Sequence, residues 1–290
     1  MKIADLHQDI LISGRDIKGV FDELFAHNYR LVVAVVFPIS NGRIWEFDEV
    51  LEGVRKYKEN LGENCKLLEN FQDLDENVLN VIIGLEGCYF SDIKLYERLY
   101  WEGVRLFSLT WNIPSAVSGS YEDGKGLTEF GFEFISWARE NGALIDLAHS
   151  SYKAILQAID LVEGAIYSHG GVLKEPKNMR NLDYELAGEI VKRGGIIGLG
   201  YGKLFFEKDA NIFDVAEKVE ELVGMFGNIA SGSDFFGLGR DNLIRCLEEP
   251  KEIKNLVRLL PEKIREDYLW KNFSNFLLRS GRTSSIKDGP

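Results

Sequence analysis

The chain has 290 residues, enough for one large α/β domain or two ordinary ones, and 45% of them are hydrophobic, which permits a sizeable core and excludes a disordered chain. Its 34 basic against 46 acidic residues give a net charge of -12, which repels a phosphate backbone and argues against nucleic acid as a partner. Three scattered cysteines, Cys65, Cys88 and Cys246, exclude a disulfide framework and a thiolate zinc site.

Along the chain, short apolar runs rich in β-branched residues alternate with longer segments of helical period. Strands are predicted at 3–8, 31–37, 78–85, 104–109, 143–148, 165–168, 195–200 and 229–233, and helices at 17–27, 47–61, 92–102, 128–140, 152–162, 184–192 and 212–225. Eight strands with helical crossovers are what a closed parallel barrel requires. Gly142, Gly164, Gly194 and Gly227 each stand just before a strand, where a helix ends in a left-handed cap. Two further helical segments, 249–260 and 262–278, the second started by Pro261, are expected to close the bottom or side of the barrel. Residues 1–279 therefore read as one (β/α)8 TIM-barrel domain of the α/β class, and 280–290 as a frayed tail. No apolar run approaches the ~20 residues that span a bilayer, and no leader precedes the first strand, so a cytoplasmic location with no membrane partner is the default expectation.

The run ADLHQD places Asp5, His7 and Asp9 on one face of a strand and Ala4 and Leu6 on the other. An imidazole and a carboxylate two residues apart at a strand end can both reach one divalent ion. Polar residues meeting solvent or a helix are the plainer reading of that run alone. The rest of the chain changes the balance. It has only four histidines, and His7, His149 and His169 stand at predicted C-terminal strand ends, the face on which barrel enzymes build their sites. His149 closes ALIDLAH and His169 closes AIYSH 20 residues later, one βα unit apart. VIIGLEG brings Glu86 to the end of the third strand, and IASGSD brings Asp234 to the end of the eighth. His7, Asp9, Glu86, His149, His169 and Asp234 are too many donors for one tetrahedral ion, so two divalent ions are expected, Zn2+ first among them. A carboxylate such as Glu86 can bridge two ions, and a water between them becomes hydroxide near neutral pH. Six histidines and acids held separately by core hydrogen bonds would be the alternative, which their clustering at one barrel end disfavours. His27 falls on the opposite face and reads as structural or exposed.

The ordered set DLHQD, GLEGC, GVRLFSLTWN, GLTEFG, DLAHSS, YSHGG, MRNLD and GSDFFG, with LWKNFSNFLLR near the end, resembles the renal or membrane dipeptidases, zinc metallopeptidases on an amidohydrolase-like barrel. The resemblance implies a dinuclear zinc hydrolase of dipeptides with a free C-terminal carboxylate, working through a metal-bridging hydroxide, and often a homodimer. His7 and Asp9 correspond to ligands of the first zinc, Glu86 to the bridging carboxylate, and His149 and His169 to ligands of the second. Asp234 corresponds to the catalytic carboxylate beside the activated water, and Arg180 in MRNLD to the residue that grips the substrate carboxylate, a task suited to a guanidinium fork. Without the resemblance, Arg180 would read as a surface loop arginine.

One position departs from the family: well-studied mammalian members carry a histidine after the fourth strand, and here stands Trp111. Indole donates one hydrogen bond and cannot become cationic. Polarisation of the substrate carbonyl is then expected to rest on the metals or on a neighbour such as Asn112 or Tyr201. Arg105 shares strand parity with Trp111 and reads as a structural charge with a buried partner. Asp146 has the parity opposite to His149 and faces the helix layer, with no role assigned by the sequence. Fold and metals do not fix the substrate, so a related amidohydrolase or lactonase acting on N-acyl amino acids or lactones is the alternative activity, and a non-catalytic metal-binding barrel the remaining one.

Overall fold

The computed structural model describes residues 1–207 and 209–280. Eight parallel strands follow one another around the sheet: β1 Ile3–Gln8, β2 Tyr29–Val36, β3 Leu79–Glu86, β4 Val104–Ser108, β5 Leu144–Asp146, β6 Ile166–Gly170, β7 Ile196–Leu199 and β8 Ile229–Ser231. Neighbours in sequence are neighbours in space, as right-handed crossovers dictate. The helices that connect or follow them are α1 Ile17–Ala26, α2 Phe47–Glu59, α3 Ile93–Trp101, α4 Glu129–Asn141, α5 Tyr152–Ile159, α6 Tyr184–Lys192, α7 Ile212–Phe226 and α8 Ile253–Leu259. The Asp9 amide donates to the Phe235 carbonyl at 2.9 Å and the Asp234 amide to the His7 carbonyl at 3.2 Å, drawing the β8 end of the sheet against β1 and nearly closing the barrel.

Every residue of β1 and β3 is buried, because in such a barrel one strand face meets the interior and the other the helix layer. The apolar core divides accordingly. An outer layer packs Val32, Ala34, Val81, Ile83 and Phe107 against the helices. An inner layer joins Leu6, Val33, Val35, Ile82, Leu106 and Ile166 to Trp270, Phe273, Phe276 and Leu277. Those last four belong to the C-terminal segment, built of α9 Glu262–Glu266, a π-helical stretch Asp267–Lys271 and α10 Asn272–Ser280. The segment therefore closes the bottom of the barrel, one of its two expected positions. The Asn272 amide anchors it on β8 by donating to the carbonyls of Gly227 and Ile229 at 2.6 and 2.8 Å.

The four glycines take positive φ, 70° at Gly142, 72° at Gly164, 81° at Gly194 and 77° at Gly227, but only Gly142 is a left-handed C-cap: Gly194 follows the C-cap Arg193, Gly227 caps α7 at ψ -59°, and Gly164 lies in the loop beyond Asp160, the C-cap of α5. A short parallel strand that the periodicity does not predict, Cys65–Leu67, adds to β3 outside the ring. The three cysteines are unpaired. Arg105 is structural but lies on the outer face of β4, where it stacks over Tyr100 and donates to the carbonyls of Glu69 and Tyr100. His27 caps the C-terminus of α1 and is half-buried. The tail expected from residue 280 lies outside the described residues, apart from Ser280, which ends α10.

Strict alternation along β1 does not survive. Asp5 pairs with Val32 and Gln8 with Ala34, so three residue steps on β1 oppose two on β2. That extra residue is a bulge, and it changes which side chains share a face. Ala4 and Leu6 face the barrel interior, and His7, past the irregularity, reaches the same interior at its mouth. Asp5 is left apart from His7 and Asp9, its carboxylate accepting from the Ser233 amide at 2.9 Å and the Gln8 side chain at 3.1 Å.

Candidate metal centre

Each of the six predicted donors sits at the C-terminal mouth, and each is buried. His7 belongs to β1 and Asp9 follows it; Glu86 is the last residue of β3 and His169 lies near the end of β6. His149 and Asp234 stand beyond the ends of β5 and β8 in left-handed backbone, φ 65° and 60°, a conformation that costs free energy and clusters at functional sites.

The ring nitrogens converge. His149 Nε2 lies 3.0 Å from His169 Nε2 and 3.1 Å from Glu86 Oε1, and His7 Nε2 and His169 Nε2 are each 3.7 Å from that oxygen. His7 Nε2 is also 3.2 Å from Asp9 Oδ2. Donors sharing a tetrahedral ion at about 2.0–2.1 Å stand about 3.3 Å from one another, so these separations are those of a common coordination sphere. Three overlapping groups keep their ligand atoms within 4.8 Å of one another: His7, Asp9 and Glu86; Glu86, His149 and His169; His7, His169 and Asp234. Glu86 is shared between the first two, the position of a bridge.

Electrostatics point the same way. Burial, with Asp9 and Asp234 close by, pushes the Glu86 carboxyl well above the carboxylate range despite His7. Burial and the neighbouring Asp9 hold Asp234 up at about 7. Burial alone would lower His7, but Glu86 and Asp9 raise it to about 10, whereas burial and the nearby cationic groups hold His149 and His169 well below their ordinary value. Glu86 and Asp234, buried close together, resist ionising unless cationic charge joins them. The donor set, neutral imidazoles with carboxylates and no thiolate, suits Zn2+ and its neighbours in hardness.

Five of these donors, all but His7, line a cavity of about 190 Å3, together with Arg180, Trp111 and Asn112. Arg180 is 4% exposed, so it is no surface arginine. Its Nη1 donates to the Tyr167 hydroxyl at 2.7 Å and its Nη2 to the His169 carbonyl at 2.9 Å, with the guanidinium over the Phe205 ring. Trp111 packs edge-on against Phe37 with centroids 5.0 Å apart and lies 6.0 Å from the His149 ring. Asn112 faces the cavity; its Oδ1 pairs with His149 Nδ1 at 2.7 Å, which orients the histidine and leaves the Asn112 NH2 group as the donor a carbonyl oxygen would need.

Tyr201 does not reach the cavity. It is fully buried in the outer core, its hydroxyl 2.8 Å from Ser231 Oγ and 3.3 Å from the Tyr268 hydroxyl, its ring against Phe235. Its place in a strand-end glycine run gave no indication of which way it turns. Sequence reasoning missed Phe37, Tyr121 and Phe205 as cavity walls: Phe37 closes a predicted strand but stands just past the end of β2, Tyr121 lies in a long connection and Phe205 in a short 3-10 turn, where periodicity assigns no face. It also turned Asp146 toward the helix layer with no role; the carboxylate instead lies beside Ser168, which touches His7 and His169, and both its oxygens are engaged, Oδ2 by the hydroxyls of Ser108 and Ser168 and Oδ1 by the amides of Ala148 and Ser168.

A nearly closed eight-stranded parallel barrel with six metal-type donors at its mouth has the architecture of a TIM-barrel protein with a candidate metal centre. Residues 39–279 match the family described as membrane dipeptidase, peptidase family M19, and the chain belongs to that family. Its curated relatives include Dipeptidase 3 of Mus musculus, 29% identical over 174 residues that make up 56% of this chain and 34% of the relative. An uncharacterized dipeptidase of Schizosaccharomyces pombe is 26% identical over 174 residues, 54% of this chain and 42% of the relative. The chain thus spans less than half the length of these relatives.

Among solved structures, a metallopeptidase from Rhodobacter sphaeroides, liganded with a phosphinate mimic of the dipeptide L-Ala-D-Ala, superposes with TM-score 0.85 at 14% identity, covering 97% of this chain and 99% of that one. An amidohydrolase from Pseudomonas aeruginosa gives TM-score 0.82 at 19% identity, covering 97% of each chain. Glu86, His149, His169, Arg180 and Asp234 fall within the family match, while His7 and Asp9 precede it and are joined to the others by the fold. Among the described residues no helix is long and apolar enough to cross a membrane.

Proposed function

We propose that this chain is a dinuclear zinc dipeptidase. The observation that carries the reading is the convergence of six buried metal-type donors, five of them lining one small cavity with a buried arginine that has guanidinium protons to spare. Family membership and the likeness to dipeptidase folds support it. His7 and Asp9 would hold one ion and His149 and His169 the other, with Glu86 placed to contribute to both. Bound ions of this kind supply Lewis acidity for an amide carbonyl and a water whose pKa is lowered toward neutrality.

The chain's own groups supply the remainder. Asp234 lies beside the donors and takes the proton from the attacking water, then delivers it to the leaving amine. Arg180, pinned by Tyr167 and the His169 carbonyl, presents its remaining N–H groups to the substrate carboxylate as a preformed fork. Trp111, Phe37 and Phe205 wall the site and keep water out, which strengthens each of these polar contacts. The volume, about 190 Å3, lies below the roughly 300–1,000 Å3 typical of sites for drug-sized ligands and suits a dipeptide.

Hydrolysis of a panel of L,L and L,D dipeptides, their C-terminal amides, N-acyl amino acids and lactones tests the reading. Free dipeptides are expected to be cleaved and their amides poorly, and Arg180→Lys is expected to raise KM for the free dipeptide by roughly tenfold or more, since an ammonium cannot reproduce the fork. Equal turnover of dipeptides and their amides, or turnover of N-acyl amino acids or lactones alone, contradicts it.

A further inference from the structure

A donor nitrogen is useful to a metal only when its lone pair, rather than its proton, faces the ion, and a neutral imidazole has two ways to place that proton. The partner of the opposite ring nitrogen decides between them. For His169 that partner is Ser168, whose Oγ lies 2.9 Å from His169 Nδ1. Ser168 is fully buried, and its hydroxyl has a second neighbour, Asp146 Oδ2 at 2.7 Å. A hydroxyl has one proton. With a carboxylate on one side, that proton goes to Asp146, and toward His169 the Ser168 oxygen can only accept.

Asp146 is held in this role from every side. Oδ2 also accepts from Ser108 Oγ at 2.6 Å, and Oδ1 accepts from the amides of Ser168 at 2.8 Å and Ala148 at 3.0 Å. No rotation of the carboxyl group improves this arrangement. The same Ser168 oxygen lies 3.4 Å from His7 Nδ1, a longer contact of the same sense, and the His7 and His169 rings are neighbours with centroids 3.8 Å apart. We infer that Asp146, acting through Ser168, is a positioning device that keeps the proton of His169 on Nδ1, and supports the same placement in His7, so that the Nε2 lone pairs face the metal centre. One buried carboxylate thereby serves histidines assigned to different ions. The inference rests on the metal-centre reading and not on the choice of substrate.

The experiment uses the full-length chain freed of metal by chelator. Imidazole 15N resonances report which ring nitrogen carries the proton, with His169 identified by its disappearance in His169→Asn. Zinc affinity is measured separately by competition with a chromophoric chelator, and melting temperature serves as a control on folding. In the wild-type protein His169 is expected in the Nδ1–H form. Ser168→Ala removes the acceptor and is expected to lower zinc affinity by about 10–100-fold. Asp146→Asn is the sharper test, being nearly isosteric. Its carbonyl oxygen must stay with the two backbone amides, so its NH2 faces Ser168, the hydroxyl now donates to His169 Nδ1, and His169 switches to the Nε2–H form with a loss of zinc affinity at least as large. Nε2–H at His169 in the wild-type protein, or wild-type zinc affinity in both variants, overturns the inference. Should Asp146→Asn fail to fold, Ser168→Ala decides alone. Zinc affinities that respond as expected in a protein that cleaves no dipeptide would leave this inference standing and the dipeptidase reading refuted.

Discussion

Gly237 shows how little room the centre leaves. A Cβ built there would lie 2.3 Å from both Asp234 Oδ1 and Asp9 Oδ2, so the turn after β8 passes directly against two of the donors. A methyl group at that spot displaces the carboxylates without touching the core. Gly237→Ala is therefore expected to lower kcat/KM at least tenfold and to reduce bound zinc, with the melting temperature of the metal-free protein changed little. Metal analysis beside a thermal melt checks this, and a variant with normal zinc and normal turnover contradicts it. The six donors were legible in the sequence because histidine is scarce and because each donor closes or follows an apolar run whose end can be recognised. Asp146 was not, since its meaning lies in a serine one strand away, and Tyr201 was misplaced because a single residue after a strand can turn either way.

At the scale of the element, the C-terminal segment performs the task that a buried barrel floor demands. Trp270, Phe273, Phe276 and Leu277 complete the inner apolar layer from below, at the end of the barrel opposite the donors. Phe273→Ala is expected to destabilise the fold by about 3–5 kcal/mol, as cavity formation at a fully buried aromatic does. That corresponds to a melting temperature lower by roughly 5–8 °C, while kcat at 25 °C stays near the wild-type value. Differential scanning calorimetry and a rate measurement separate the two effects. The alternation of strands and helices was readable to within a few residues at nearly every element, because the strands are apolar on both faces and glycines stand just before four of them. The bulge in β1 was not readable. It arises from pairing with β2, a long-range constraint that leaves no local signal, and it sets His7 on the same side as Leu6.

Over the whole molecule, the donors make the metal-free protein sensitive to pH in a direction that can be worked out. His7 is held at about 10 in the folded chain against 6.5 when unfolded, by Glu86 and Asp9 working against burial. Between those values the folded state keeps a proton that the unfolded state has released, so this contribution is complete below pH 6.5 and is lost as pH rises toward 10. Asp234, at about 7 against 3.8, acts in the same sense at lower pH, while the lowered His149 and His169 act oppositely below 6.5. From pH 7 to 10 His7 acts in the same sense as Glu86, whose carboxyl burial also holds up, and the metal-free protein is expected to lose melting temperature relative to the zinc-loaded protein, in which both groups would be taken up as ligands. Parallel melts across that range, with equal slopes for the two forms, would contradict this. The most direct measurement is the number of zinc ions per chain in the purified protein, followed on the same sample by dipeptide hydrolysis before chelation, after it, and after zinc is restored. Two ions per chain, with cleavage lost on chelation and regained on zinc addition, is the predicted result; a chain that binds no divalent ion, or cleavage that chelator leaves unchanged, would contradict the metal centre itself.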